Sequence, residues 1–242
     1  MLLIYTPKIT NRIRYIFNLI FGDILGADFR ITSDVMLFKN SEGAKISYAH
    51  HPVSDELFFC LANHSEEAFL WETEIKKHAL KVSDQNGTKI FFQTENSSLP
   101  FDPFAASFFL VSRYEEYIPF AADKYGRFTA NQSFAFQNGF LQKPVVNIWA
   151  QHIKKNILEK FPGSKFAATK YNFMPTIDID NAYAYLGKGI LRTMGGYAKE
   201  LLYFKMADIK YRTNALLKKE DPYNTYTFLS SFHQEYHLNP IY

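Results

Sequence analysis

Asp178 and Asp180 stand in the stretch FMPTIDIDNAYAY, residues 173–185, with one isoleucine between them and an apolar run closed by Pro175 and Thr176 before them. On an extended backbone alternate residues share a face, so this spacing sends both carboxylates the same way. Aspartate disfavours strands, and a pair of them therefore marks a face that is either solvated or a site. Two neighbouring carboxylates can divide labour: one coordinates a divalent cation while the other removes a proton from a nearby water. A turn, a helix cap or a salt-bridged strand end produces the same pattern. His233 and His237, in HQEYH, have the i, i+4 spacing that puts two imidazoles on one helical face, a metal-competent arrangement. An ordinary helix with partly exposed imidazoles gives that pattern too.

Other reactive side chains have plainer readings. Cys60 lies inside the apolar ELFFCLA and reads as a buried structural thiol. His50 and His51 would point oppositely on a strand, so a loop before Pro52 is expected. YLGKGI and MGGYAK lack the spacing of a phosphate-binding loop, and their glycines read as helix interruptions. Arg113, Glu115 and Glu116 read as a solvated helix end. No serine or cysteine sits in a nucleophile context.

The elements that must position these residues follow from periodicity. MLLIYT predicts a strand, and Ile13, Ile16, Phe17, Ile20 and Phe21 give the apolar face of a helix. DFRITSD, KISYA, DELFFCLA and TKIFFQT predict strands, with a helical pattern in SEEAFLWETEIKKHAL between the last two. Asp102 and Pro103 predict a helix start that buries Phe104, Phe108, Leu110 and Val111. Residues 122–146 read as a long ordered loop, and VVNIWAQHIKKNILEKF as a helix stopped by Pro162 and Gly163. A strand carrying the carboxylates, helices with glycine interruptions and a helix begun by Asp221 and Pro222 complete the chain.

The chain has 242 residues, 47% of them hydrophobic and 17% aromatic, which is the composition of a folded protein. A net charge of +3 is too small and too dispersed to announce a nucleic-acid or membrane-surface partner. One cysteine allows no internal disulfide and fits a reducing compartment. Lys8, Arg12 and Arg14 interrupt the apolar N-terminus, which falls short of the roughly 18 residues needed to span a bilayer and does not read as a signal peptide. A cytoplasmic location and no membrane span are expected, with the oligomeric state open.

PTIDIDNAYAY resembles the first motif of the polysaccharide deacetylase family, the NodB-homology domain of carbohydrate esterase family 4, where a strand ends in threonine, an apolar residue and two acidic positions. Many members have adjacent aspartates; Ile179 intervenes here, as in the D-x-D and D-x-E variants. DPFAASFFLVSRYEEYIPF, DKYGRFTANQSFAFQNGFLQKPVVNIW and DPYNTYTFL are similar to a bacterial subgroup in which an extra α/β domain precedes the barrel. The resemblance implies an α/β fold: a mixed α/β domain of unknown role over 1–165, then the first strand and helices of an incomplete (β/α) deacetylase-type barrel over 166–242. It implies Asp178 as catalytic base, Asp180 as metal ligand, a divalent metal such as zinc, and hydrolysis of N- or O-acetyl groups on a carbohydrate. The family's second motif, H-S/T-x-x-H, completes the metal triad. HQEYH lacks the glycine- and serine-containing lead-in to that motif. In the corresponding alignment Leu229, Phe232 and Tyr236 form a buried stripe with His233 and His237 beside it, and the metal-binding histidines and most of the barrel lie beyond residue 242. The chain as given is then expected to be catalytically incompetent.

Two other readings stay open. A D-x-D after an apolar strand also suits a glycosyltransferase that holds manganese or magnesium against a sugar-nucleotide diphosphate. The N-terminal domain alone suits a noncatalytic carbohydrate-binding module, with aromatics of the Tyr-rich loop stacking on sugars.

Overall fold

The computed structural model describes residues 1–62, 68–72, 80–168, 170–218 and 220–242. It consists of two compact units, Met1–Ala168 and Thr169–Tyr242, where the sequence suggests a boundary after residue 165. Among the described residues no helix is long and apolar enough to cross a membrane.

In the first unit the apolar runs become four parallel strands, β1 (Leu2–Tyr5), β2 (Phe29–Thr32), β3 (Lys45–Ala49) and β4 (Leu57–Cys60), in the order β2-β1-β3-β4. This is the mixed α/β architecture expected from the sequence, built on a parallel sheet. Such sheets are covered on both faces, and alternation along β1 shows how. Leu2 and Ile4 enter the large core, whereas Leu3 and Tyr5 join a smaller cluster with Phe38 and Ala49. Phe38 comes from α2 (Val35–Asn40), capped by the Asp34 carboxylate, which accepts from the amides of Met36 and Leu37.

The large core is roofed by α1 (Asn11–Phe17), α3 (Pro103–Val111) and α5 (Val145–Lys160). The apolar face expected of α1 is present: Ile13, Ile16, Phe17, Ile20 and Phe21 are all fully buried. From Asn18 to Ile24 that helix widens into a π-helix, in which the Leu25 amide donates to the Ile20 carbonyl. α5 runs to Lys160 and stops ahead of Pro162 and Gly163, as their chemistry requires. The run TKIFFQT is strand only over β6 (Thr88–Ile90), which pairs antiparallel with β5 (Ser83–Gln85). Asn86 and Gly87 both take positive φ in the two-residue turn between them. The stretch 122–146 contains a 3-10 turn at Ala130–Gln132 and a short helix, α4 (Phe134–Gln137), and its last two residues open α5. The helical pattern over 65–80 falls mostly outside the described residues; within them lies a 3-10 turn at Phe69–Trp71.

α3 departs from its expected amphipathic face. Phe104, Ala105, Ala106, Ser107 and Phe109 are buried, whereas Phe108, Leu110 and Val111 are only partly so. The helix is packed between α1 and the Phe69–Trp71 turn on one side and α5 on the other, so it needs no polar face until its end. Its Phe104 ring lies 4.8 Å from Phe17, 5.0 Å from Tyr48 and 5.4 Å from Phe59, centroid to centroid, at the centre of the core.

Asp102 caps α3 and does more than cap it. Oδ1 accepts from the amides of Phe104 (3.0 Å) and Ala105 (2.9 Å). Oδ2 accepts from Tyr48 Oη on β3 (2.7 Å) and from the Ala62 amide beyond β4 (2.9 Å). Burial pushes its carboxyl up to about 6, against the opposing pull of those four hydrogen bonds. The folded state therefore holds this proton more tightly than the unfolded chain, so the group's contribution to stability is full below about pH 4 and is lost as pH rises through about 6. Asp102→Ala, which strands the Tyr48 hydroxyl and the Ala62 amide as well as uncapping α3, is expected to cost about 3 kcal/mol or more. Asp102→Asn is expected to abolish the fall in stability between pH 4 and 6. Urea unfolding across that pH range reads both effects.

Candidate functional site

The expected carboxylate strand of the second unit is reduced to one parallel bridge, Thr176 to Ile241. The Ile177 amide donates to the Ile241 carbonyl, and the Ile241 amide to the Pro175 carbonyl, both at 2.9 Å. On its amino side the ladder ends at Pro175, which has no N–H to donate to a preceding rung. Asp178 and Asp180 follow immediately past the carboxyl end of this pairing, both exposed. Among the described residues neither accepts a hydrogen bond nor pairs with a cation.

The segment after them is held by a residue whose role the sequence did not reveal. The Asp221 carboxylate, almost fully covered, accepts from the amides of Ala184 (2.8 Å), Tyr185 (2.7 Å), Leu186 (3.1 Å) and Tyr223 (3.0 Å). Burial would raise its pKa, but the four amides together prevail and lower it. Tyr226 Oη adds a bond to the Ala182 carbonyl (3.0 Å), and its ring packs edge-on against Tyr183. The expected helix start at Asp221 and Pro222 is thus displaced to α8 (Tyr226–Glu235), with Thr225 at its cap position, because the carboxylate is engaged with the 184–186 backbone. The Asp-Pro pair was the available signal, but its partners lie 35 to 37 residues away.

Between these segments run α6 (Ile190–Leu202) and α7 (Met206–Lys218). The expected glycine interruption of this region does not occur at Gly195 and Gly196, which lie inside α6; the break falls at 203–205. Gly196 has a packing reason: a Cβ there would collide with the Arg212 guanidinium. Arg212, on α7, forms a bidentate pair with Glu200 of α6 and stacks between Tyr185 (4.8 Å) and Tyr197 (5.5 Å). The hydrogen bond from Arg212 lowers the Glu200 pKa.

The histidines do not share a helical face. His233 is 7% exposed, and its Nδ1 lies 3.2 Å from Tyr242 Oη. His237 lies beyond α8 with φ at +51°. The Leu238 amide donates to the His233 carbonyl and the His237 amide to the Gln234 carbonyl, the two bonds of a Schellman stop. The expected stripe is only partly present: Leu229 is partly buried, Phe232 and Tyr236 are exposed, and His233 is buried instead. The packing of Tyr242 against His233 decides this, a contact that helical periodicity cannot register. Among the described residues no group of three or more His, Cys, Asp and Glu side chains is placed to hold a metal ion.

In the first unit, His50 leaves β3 in a bend, as expected, with its ring edge-on to Trp71 at 5.2 Å. Cys60 is half-buried, and burial raises its thiol pKa. Arg113 pairs with Glu116 at the exposed end of α3, while Glu115 accepts from the Phe134 amide (2.7 Å). The carboxyl ends of β1 and β3, where parallel sheets of this kind commonly bind ligands, are covered by the Phe69–Trp71 turn. Thr10 Oγ1 and Arg12 donate to the carbonyls of Leu70 (2.5 Å) and Phe69 (2.8 Å) there.

Residues 2–162 match a family of unknown function, DUF7033, and the chain belongs to that family. The match covers nearly all of the first unit and ends before the residues that carry the carboxylates. No curated protein matches the chain, and no solved structure does.

Because His237 occupies the left-handed position that glycine fills most cheaply, His237→Gly is expected to stabilise the second unit by about 0.5–1 kcal/mol. Thermal unfolding reads the shift, and a loss of stability would show that the imidazole makes a contact the Schellman geometry does not require.

Proposed function

We propose that the second unit is the opening part of a deacetylase-type (β/α) barrel, and that its chemistry is metal-dependent hydrolysis of acetyl groups on a carbohydrate. The observation that carries this reading is the parallel bridge between Thr176 and Ile241, with Asp178 and Asp180 directly beyond its carboxyl end. Two parallel segments joined through helices are how a (β/α) barrel begins, and the carboxyl ends of its strands are where such folds place reacting groups. The resemblance of PTIDIDNAYAY to the first deacetylase motif supplies the roles.

The donor set fits a divalent cation in part. Asp178 and Asp180 are exposed oxygen donors with no competing partner among the described residues, which suits a hard or borderline cation. His233 is engaged with Tyr242, and His237 lies off the helix, so neither completes the set as placed. In this reading Asp180 is a ligand and Asp178 accepts the proton of the attacking water. Asp221 positions both by fixing the backbone that follows them. When bound, a divalent cation such as zinc supplies Lewis-acid polarisation of the acyl oxygen.

With a base and one carboxylate ligand, these 242 residues are expected to bind divalent metal weakly and to release no acetate from chitooligosaccharides. Titration with Mn2+ as a paramagnetic probe is expected to broaden the amide signals of residues 178–181 first. Asp180→Asn should abolish that broadening, and His233→Ala should leave it intact. Broadening centred elsewhere, or retained in Asp180→Asn, would rule the reading out.

A further inference from the structure

α6 is assembled inside out. Its polar stripe, Glu200 with Thr193 and Gly196, turns inward, Glu200 being taken up by Arg212 of α7, and Tyr197 Oη lies 2.9 Å from Thr213 Oγ1. That leaves Ile190, Leu191, Met194, Leu201 and Leu202 turned outward, between 61% and 88% exposed. At about 100° per residue these five side chains fall within an arc of about 120°, a continuous apolar face. The surface continues around the break between α6 and α7, where Tyr203, Phe204 and Met206 are 63% to 84% exposed. Contiguous apolar surface of this kind marks an interaction site rather than ordinary scatter.

Charge identifies the occupant. Residues 187–218 hold seven basic side chains against two acidic ones, a net +5, whereas the whole chain carries only +3. The remainder of the protein is therefore net negative, and the overall figure conceals a concentrated basic segment. Both acids are engaged, Glu200 with Arg212 and Asp208 at 3.8 Å from Lys205. Arg192 and Lys199 flank the apolar arc on its exposed border. An apolar face edged by cations, with tyrosine and phenylalanine at its tip, is the pattern of a helix lying in the plane of a membrane interface. Two copies meeting through this face would bring like charges together, so self-association is disfavoured.

We propose that the α6–α7 hairpin is a membrane-surface binding element whose partner is an anionic phospholipid bilayer. The Leu201–Met206 tip and the outward face of α6 enter the headgroup and upper acyl region, to a depth of about 5–10 Å. Arg192, Lys199 and Lys210 lie over anionic headgroups. The proposal rests on the outward face of α6 lying outside the barrel of the proposed function, and is independent of whether Asp180 holds a metal.

The test is sedimentation of the 242-residue chain with vesicles of phosphatidylglycerol and phosphatidylcholine, against vesicles of phosphatidylcholine alone. The chain is expected to sediment with the anionic vesicles and to be released as salt rises past the screening range. Leu202→Glu with Phe204→Glu alters exposed side chains only and is expected to lower partitioning by at least about tenfold, with an unchanged far-ultraviolet spectrum. Arg192→Gln with Lys199→Gln is expected to remove the preference for anionic vesicles. Absence of the parent chain from the anionic pellet, or equal sedimentation of the first double variant, would overturn the proposal. So would a parent chain that self-associates through this face, as read by light scattering, without binding vesicles.

Discussion

A single buried carboxylate holds the first unit in register. Asp102 joins the first turn of α3, the tyrosine that projects from β3 and the backbone beyond β4, and its four hydrogen bonds satisfy groups that would otherwise be orphaned in the core. The cost of placing an ionisable group there shows in its raised pKa; the four donors do not fully offset desolvation. What the arrangement secures is position. With α3 fixed at its N-terminus, Phe104 is delivered to the middle of an aromatic cluster built from α1, β3 and β4. Asp221 plays the parallel part in the second unit with four amide donors; burial raises its pKa too, but there the four hydrogen bonds together outweigh it and lower it.

These two aspartates also show where sequence reasoning reaches its limit. Each is followed by proline, and each reads as a helix start. At Asp102 the local signal and the fold agree. At Asp221 the carboxylate is recruited by amides more than thirty residues earlier in the chain, and the helix begins later, at Tyr226. The strands of the parallel sheet, the face of α1 and the end of α5 were legible because alternation, periodicity and a proline stop are local properties. The burial of α3 nearly all round, the burial of His233 on α8 and the outward apolar face of α6 were not, because each is decided by what packs against the helix. Gly196 is the same lesson at one residue: its neighbour in space, Arg212, lies on the next helix.

The candidate site divides in the same way. The spacing of Asp178 and Asp180 after a short extended segment was readable, and both side chains stand exposed and unpartnered at its end among the described residues. The histidine spacing was equally readable, but a helix that stops at a Schellman turn separates His237 from His233 whatever their distance in sequence. In the proposed reading the carboxylate pair carries the chemistry and Asp221 fixes the backbone behind it, while in the first unit the Phe69–Trp71 turn is bonded to Thr10 and Arg12 just past β1. The central claim of that reading is that Asp180 is a metal ligand.

Anomalous diffraction from crystals of the chain soaked in zinc tests that claim most directly. The account predicts a peak at the zinc edge about 2.0–2.2 Å from a carboxylate oxygen of Asp180, with Asp178 beside it. Zinc bound elsewhere with none at Asp180, or density showing the two carboxylates closed into arginine or lysine pairs, would contradict it.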